Sequence, residues 1–278
     1  MSSASFVLNS SNYDSTTGLL TYNFPFRQQF KGKGIGIQNL CMYNSTPNIT
    51  PAYGNNTITL VYPFSTGNVT YNFTIPTGYY SMSDLNYFLQ SQMIANNLYM
   101  VNASGQYVYF VEIVANSTQY AGQLNFYPLP TSAQATTLGY TLPVGQLLYG
   151  LGNVPQLTIT SAFGNLIGLN AGTYGTGAAN IQYVSTKCPI ISPVNAYVLT
   201  CNLVNNVGLS NPSNILGIVP INAQYGGLIT LNIGNICYQH VANNSYASIQ
   251  IGFLDQNLNK ITPYDADVIL SLSLIDMP

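Results

Sequence analysis

The sequence predicts an all-β protein, a sandwich or barrel of short strands interrupted by one helix near residues 82–96. Three observations predict it. Apolar and polar residues alternate with period two along most of the chain, turn signals recur at fairly regular spacing, and two short segments switch to helical rhythm.

In chain order, 20–26, 35–43 and 57–62 read as the first strands, closed by the turn signal Gly54-Asn55 before the third. Tyr71, Phe73 and Ile75 then alternate with Asn72 and Thr74. Ser81-Met-Ser-Asp84 has the spacing of a capping box, with a carboxylate at the positive end of the helix dipole. Leu85, Phe88, Leu89 and Met93 follow at helical spacing, giving about three turns that end near Asn96-Asn97. Asp84 is therefore a cap rather than a catalytic acid. Beyond the Ser104-Gly105 turn, Tyr107, Tyr109, Val111 and Ile113 share one face of a strand, and 123–127 and 156–160 read as two more. The Gly-, Pro-, Thr- and Gln-rich stretch 121–155 is expected to hold long connections or a projecting insertion, since a plain eight-stranded sandwich does not need this whole chain. Segment 161–169 reads as a short helical turn packing Phe163, Leu166 and Ile167 onto a sheet. Strands follow at 196–204 and 215–221, then on Ile229, Leu231 and Ile233, and on Ile249, Ile251 and Phe253. The last opposes Val268, Leu270, Leu272 and Leu274 to Ser271 and Ser273. Gly226-Gly227, Asn243-Asn244 and residues 255–260 supply the remaining turns.

Composition bears on function. Only 12 of the 278 residues are Asp, Glu, Lys or Arg, and the formal net charge is -2. Soluble domains carry about a quarter charged residues, and near-zero net charge favours association. A chain so poor in charge is expected to be covered by other protein. No run approaches the roughly 18 apolar residues of a membrane span. Met1-Ser2-Ser3-Ala4-Ser5-Phe6 has neither a basic nor an apolar leader region, so no signal peptide is expected. Cys41, Cys188, Cys201 and Cys237 match no zinc or redox spacing and read as free thiols, with synthesis inside the cell. Cys201 alternates with Tyr197, Leu199 and Leu203 and so reads as a small buried hydrophobe. Asn-x-Ser/Thr triplets at Asn9, Asn44, Asn48, Asn55, Asn68, Asn72, Asn102, Asn116 and Asn243 are ascribed to the abundance of asparagine, serine and threonine.

Catalysis needs titratable groups that converge, and few are present. His240, the single histidine, lies beside a turn without a nucleophile elbow or partner motif and reads as an exposed or interfacial residue. Asp255, Asp265 and Asp267 form the acidic cluster; alternating carboxylates suit calcium, but their place at turns favours bonding of backbone amides. Glu112 is a lone strand carboxylate, expected to face solvent or pair with a lysine. Lys31-Gly-Lys-Gly-Ile-Gly-Ile37 lacks phosphate-loop spacing and reads as a glycine-rich strand entry; with Arg27, its lysines make only a weak footprint for phosphate. No catalytic, cofactor-binding or metal site and no cofactor is assigned, and specific nucleic-acid binding is not expected.

Some segments resemble a known family. Ile75-Pro-Thr-Gly-Tyr-Tyr-Ser-Met-Ser-Asp-Leu-Asn-Tyr-Phe-Leu-Gln90 is similar to the P-x-G-x-Y-S-hydrophobic-x-x-L-N segment of minor capsid proteins from virophages, polinton-like viruses and related double-stranded DNA viruses. Phe163-Gly-Asn-Leu-Ile-Gly-Leu169, with Gly172-Thr-Tyr174, resembles their L-x-G-F and G-x-Y turn, although Leu169 stands where the family has Phe. Blocks from Val198 to Leu203, Ser213 to Leu216, Tyr225 to Gly227 and Asp255 to Asn257 are similar to their closing strands. The resemblance spans about half the chain in scattered, ordered blocks. It implies a single jelly-roll capsid domain over 1–278, with the insertion around 121–155. It also implies a penton subunit at the fivefold vertices of an icosahedral virion, forming a homopentamer and touching the major and other minor capsid proteins. The alternatives are another minor capsid protein beneath or between capsomers, or a β-sandwich head that binds a receptor or glycan; an enzyme fits least.

Overall fold

The computed structural model describes residues 3–143, 149–206 and 212–277. In chain order β1 (Ser3–Asn9), β2 (Tyr13–Asp14), β3 (Leu19–Phe30) and β4 (Lys33–Tyr43) come first. There follow β5 (Thr57–Phe64), β6 (Gly67–Thr74), α1 (Met82–Ala95), β7 (Met100–Val101), β8 (Tyr107–Val108), β9 (Val111–Asn116) and β10 (Ala121–Phe126). Next are α2 (Ser132–Leu138), β11 (Gln156–Ile159), α3 (Ser161–Ile167), β12 (Gly172–Tyr174) and β13 (Ile181–Val184). The chain ends with β14 (Ala196–Cys201), β15 (Ile215–Pro220), β16 (Leu228–Asn232), β17 (Gln239–His240), β18 (Asn244–Leu254) and β19 (Val268–Asp276).

The chain divides into two compact units, Met1–Thr46 with Val194–Pro278, and Pro47–Pro193. Each has its own hydrophobic core.

The first unit holds two antiparallel sheets, ordered β1-β19-β4-β16 with β17 also on β4, and β15-β14-β18-β3-β2. Alternation puts Leu8, Leu40, Met42, Ile229, Leu270 and Leu272 on the inner face of the first sheet. Leu20, Tyr197, Leu199, Ile249, Ile251 and Phe253 line the second, and both sets join one cluster, which makes the unit a β-sandwich. Numbering β1, β3, β4, β14, β15, β16, β18 and β19 from 1 to 8, the sheets read 1-8-3-6 and 5-4-7-2, the order of a jelly-roll-like sandwich.

The second unit holds sheets β12-β11-β5-β6 and β13-β10-β9, and the small β7-β8 pair. α1 lies against β9 and buries Met82, Leu85, Leu89 and Met93. Its capping box is the one read in the sequence: Ser81 Oγ accepts from the Asp84 amide at 3.2 Å, and Asp84 Oδ2 accepts from the Ser81 amide at 2.9 Å. α3 likewise buries Phe163, Leu166 and Ile167, and closes on Gly168 in the left-handed region.

Two expectations change in detail. Tyr107–Ile113 is not one strand: β8 pairs with β7 and β9 with β10, and Tyr109 and Phe110 lie between them outside either strand. The stretch 121–155 contributes Leu124, Phe126, Leu129, Ala135 and Val154 to the second unit's core, and contains α2. Residues 144–148 of that stretch lie outside the described residues. The second unit, Pro47–Pro193, lies between β4 and β14 in the sequence.

Candidate functional site

The outer face of the β1-β19-β4-β16 sheet follows from the register that builds its core. Leu8, Leu270, Leu40 and Ile229 point inward, so their strand neighbours point outward. Asn9, Ile269, Cys41 and Thr230 make one outward row across the strands, and Val7, Ser271, Asn39 and Asn232 the next. Tyr43 and Leu228 pair beyond them. Val7 and Ile269 are more than half exposed, and Tyr43 and Leu228 are also open to solvent. Neither row contains Asp, Glu, Lys or Arg. These rows are partly apolar and hydrogen-bonding, with the composition of a surface suited to being covered.

Most of the titratable residues singled out from the sequence lie at turns or on the exposed surface. His240 is exposed in β17, beside Gly34 of β4. Asp255 is buried at the turn after β18: its Oδ1 accepts from the amides of Asn257 and Asn259, both at 2.8 Å, and its Oδ2 from Asn259 Nδ2 at 3.1 Å. Asp265 Oδ1 accepts from the Asp267 amide at 2.8 Å, and the Asp265 amide donates to Ser45 Oγ at 2.9 Å. These are the turn aspartates the sequence predicts. Among the described residues no group of three or more His, Cys, Asp or Glu is placed to hold a metal ion. Lys33 enters β4 and pairs with Asp276, while Arg27 and Lys31 are exposed. All four cysteines are free; Cys201 is buried, and burial pushes its thiol up to about 11. Asn48 and Asn55, two of the nine Asn-x-Ser/Thr positions, are buried. Asn48 Oδ1 accepts from the Tyr80 amide, and its Nδ2 donates to the Tyr80 and Ile191 carbonyls, all at 2.8 Å.

Glu112 departs from expectation. Among the described residues it pairs with no lysine, and it lines a cleft of about 880 Å³ in the second unit. Tyr107, Tyr109, Tyr127 and Tyr140 form much of the wall, with α2 at one side through Gln134 and Leu138. Glu112 Oε2 accepts from Tyr127 Oη at 3.1 Å and from Asn125 Nδ2 at 3.3 Å. Burial holds the Tyr127 phenol above its ordinary value, reinforced by the Glu112 charge. Burial does the same for Tyr109, with Tyr107 and Tyr99 adding to it. Sequence reasoning missed this cleft because Glu112 and Tyr127 meet only through the Asn125–Glu112 register of β9 and β10. The one local signal was Thr131-x-x-Gln134, a second capping box, which starts α2 at the cleft's edge.

No family model matches the chain, and no curated protein matches its sequence. Among solved structures the chain is similar to the selenomethionine-labelled mavirus penton protein, with a TM-score of 0.44 and 9% identity over 98% of this chain and 97% of that one. It is also similar to a chain in the 3.5 Å cryo-EM structure of the Sputnik virophage, with a TM-score of 0.40 and 10% identity over 99% and 98% of the two chains.

Proposed function

We propose that this protein is a structural capsid subunit of an icosahedral double-stranded DNA virus, acting by self-assembly rather than by catalysis. The observation that carries the reading is the charge-free outer face of the β1-β19-β4-β16 sheet, presented by a jelly-roll-like sandwich. Stable obligate interfaces bury upwards of about 2,000 Å² and are depleted in charge at their centre. The segment from Pro76 to Asn86, which resembles that of virophage-type minor capsid proteins, builds the capped start of α1 and supports the same reading. The specific role proposed is the penton: one chain, 1–278, is one subunit of a homopentamer at the fivefold vertex, bordered by the major capsid protein and other minor proteins of the virion. Repetition of one heterologous contact around a closed ring turns a modest pairwise interface into a stable assembly.

Mass photometry of the purified chain tests this, with Ile269→Lys as a second arm. The expected result is fivefold or larger assemblies for the parent and monomers for the variant, since a lysine in a covered, uncharged row leaves a charge unpaired. Ile269 points away from the core, so the variant should still unfold in one cooperative melt, lower than the parent's only by the stabilisation that assembly supplies. A parent that stays monomeric at high concentration would overturn the proposal.

A further inference from the structure

Between positions 47 and 193 the charged residues are Asp84, Glu112 and Lys187. Two have structural roles. Asp84 closes the capping box of α1, and Lys187 Nζ donates to Asn170 Oδ1 at 2.8 Å. Glu112 is different. Both hydrogen bonds it receives fall on Oε2, and a glutamine carbonyl oxygen would accept them equally well. What glutamine lacks is the charge. No lysine, arginine or histidine of the described residues pairs with this half-buried carboxylate. A directed row of amides also orients it. Asn116 Nδ2 donates to Gln123 Oε1 at 3.0 Å, Gln123 Nε2 to Asn125 Oδ1 at 2.7 Å, and Asn125 Nδ2 to Glu112. Every amide in the row donates toward the carboxylate, which polarises the chain in one sense and fixes the rotamer.

We propose that this cleft is a binding site for an organic cation, an alkylammonium or guanidinium group, with Glu112 as counter-ion and Tyr107, Tyr109, Tyr127 and Tyr140 as the aromatic wall. Ring faces attract cations through their quadrupole, and a carboxylate adds charge-assisted hydrogen bonds. The volume, about 880 Å³, accommodates a head group together with the chain that carries it. A neutral sugar would also stack on tyrosine and donate to the carboxylate, but it would leave the negative charge uncompensated, which a cation neutralises. The inference stands on the cleft alone and is independent of the capsid role.

Isothermal titration of the full chain with choline and with N-acetyl-arginine amide tests it, with glucose and N-acetylglucosamine as a neutral arm. Saturable cation binding with a Kd of roughly millimolar order is expected, weakening as salt rises. Glu112→Gln keeps both hydrogen bonds, so it should melt like the parent while losing about tenfold or more in cation affinity. Tighter binding of the arginine derivative would mark a polypeptide side chain as the source; tighter binding of choline would mark a small quaternary amine. Failure of both cations to saturate would overturn the proposal. So would equal affinity in Glu112→Gln, or saturation by the sugars alone.

Discussion

Cys201 shows what burial does to one side chain. Its thiol lies in the core of the first unit between the sheets, and desolvation raises it from an ordinary 9.0 to about 11. The folded protein therefore keeps this proton over a range where the unfolded chain releases it. The stabilisation is complete below pH 9.0 and is lost as the pH rises through about 11, amounting to about 2–3 kcal/mol. Urea midpoints measured across that window should fall in the parent and fall less in Cys201→Ala. Thiol labelling of the native protein should modify exposed Cys188 and Cys237 first and Cys201 only on unfolding. The inertness of Cys201 was legible in the sequence, because alternation with Tyr197 and Leu199 places it inward. The roles of Asn48 and Glu112 were not. Asn48 bonds Tyr80 and Ile191, which are 32 and 143 residues away, and no local pattern announces such partners.

Elements were readable in proportion to how much of their stability is local. α1 declares itself through Ser81 and Asp84, and β18 and β19 through long alternating runs. β7, β8, β12 and β13 are two to four residues long and largely half-exposed, and they exist because a neighbouring strand pairs with them. The sequence pattern merged β8 and β9 because Tyr107, Tyr109, Val111 and Ile113 keep period two across the break between the two strands. Contact between α3 and β10 has a comparable non-local cause. A Cβ added to Gly122 would run into the Ile167 carbonyl oxygen, so β10 approaches the end of α3 closely only because this residue has no side chain. Gly122→Ala should cost about 3 kcal/mol or more, because the obstacle is backbone and cannot rotate away. Gly105→Ala serves as a control: unlike Gly122, Gly105 has a positive φ, and a Cβ there meets open space, so its penalty should be smaller and confined to backbone strain. Thermal melts of the two variants distinguish packing from conformational effects.

For the whole molecule, alternation told which residues turn inward but not toward which core. Met42 and Ile49 are both apolar, seven positions apart, and belong to different clusters. Period-two alternation therefore does not mark the boundary between the two units, although the poverty of charge is plain from composition. This poverty has a consequence for assembly. Salt screens ionic contacts, while contacts built on Val7, Ile269, Leu228 and the neighbouring Asn and Thr residues would have no charge to screen. Sulfate, by contrast, is excluded from protein surfaces and strengthens apolar burial. If that sheet face joins subunits, raising sodium chloride to roughly half molar should change the association constant by no more than about threefold. Sodium sulfate at equal ionic strength should raise it. Sedimentation at a series of protein concentrations in the two salts separates the cases. Assemblies that dissolve steeply in sodium chloride would instead assign the contact to the few charged groups, chiefly Arg27, Lys31 and Lys260, and away from the neutral face.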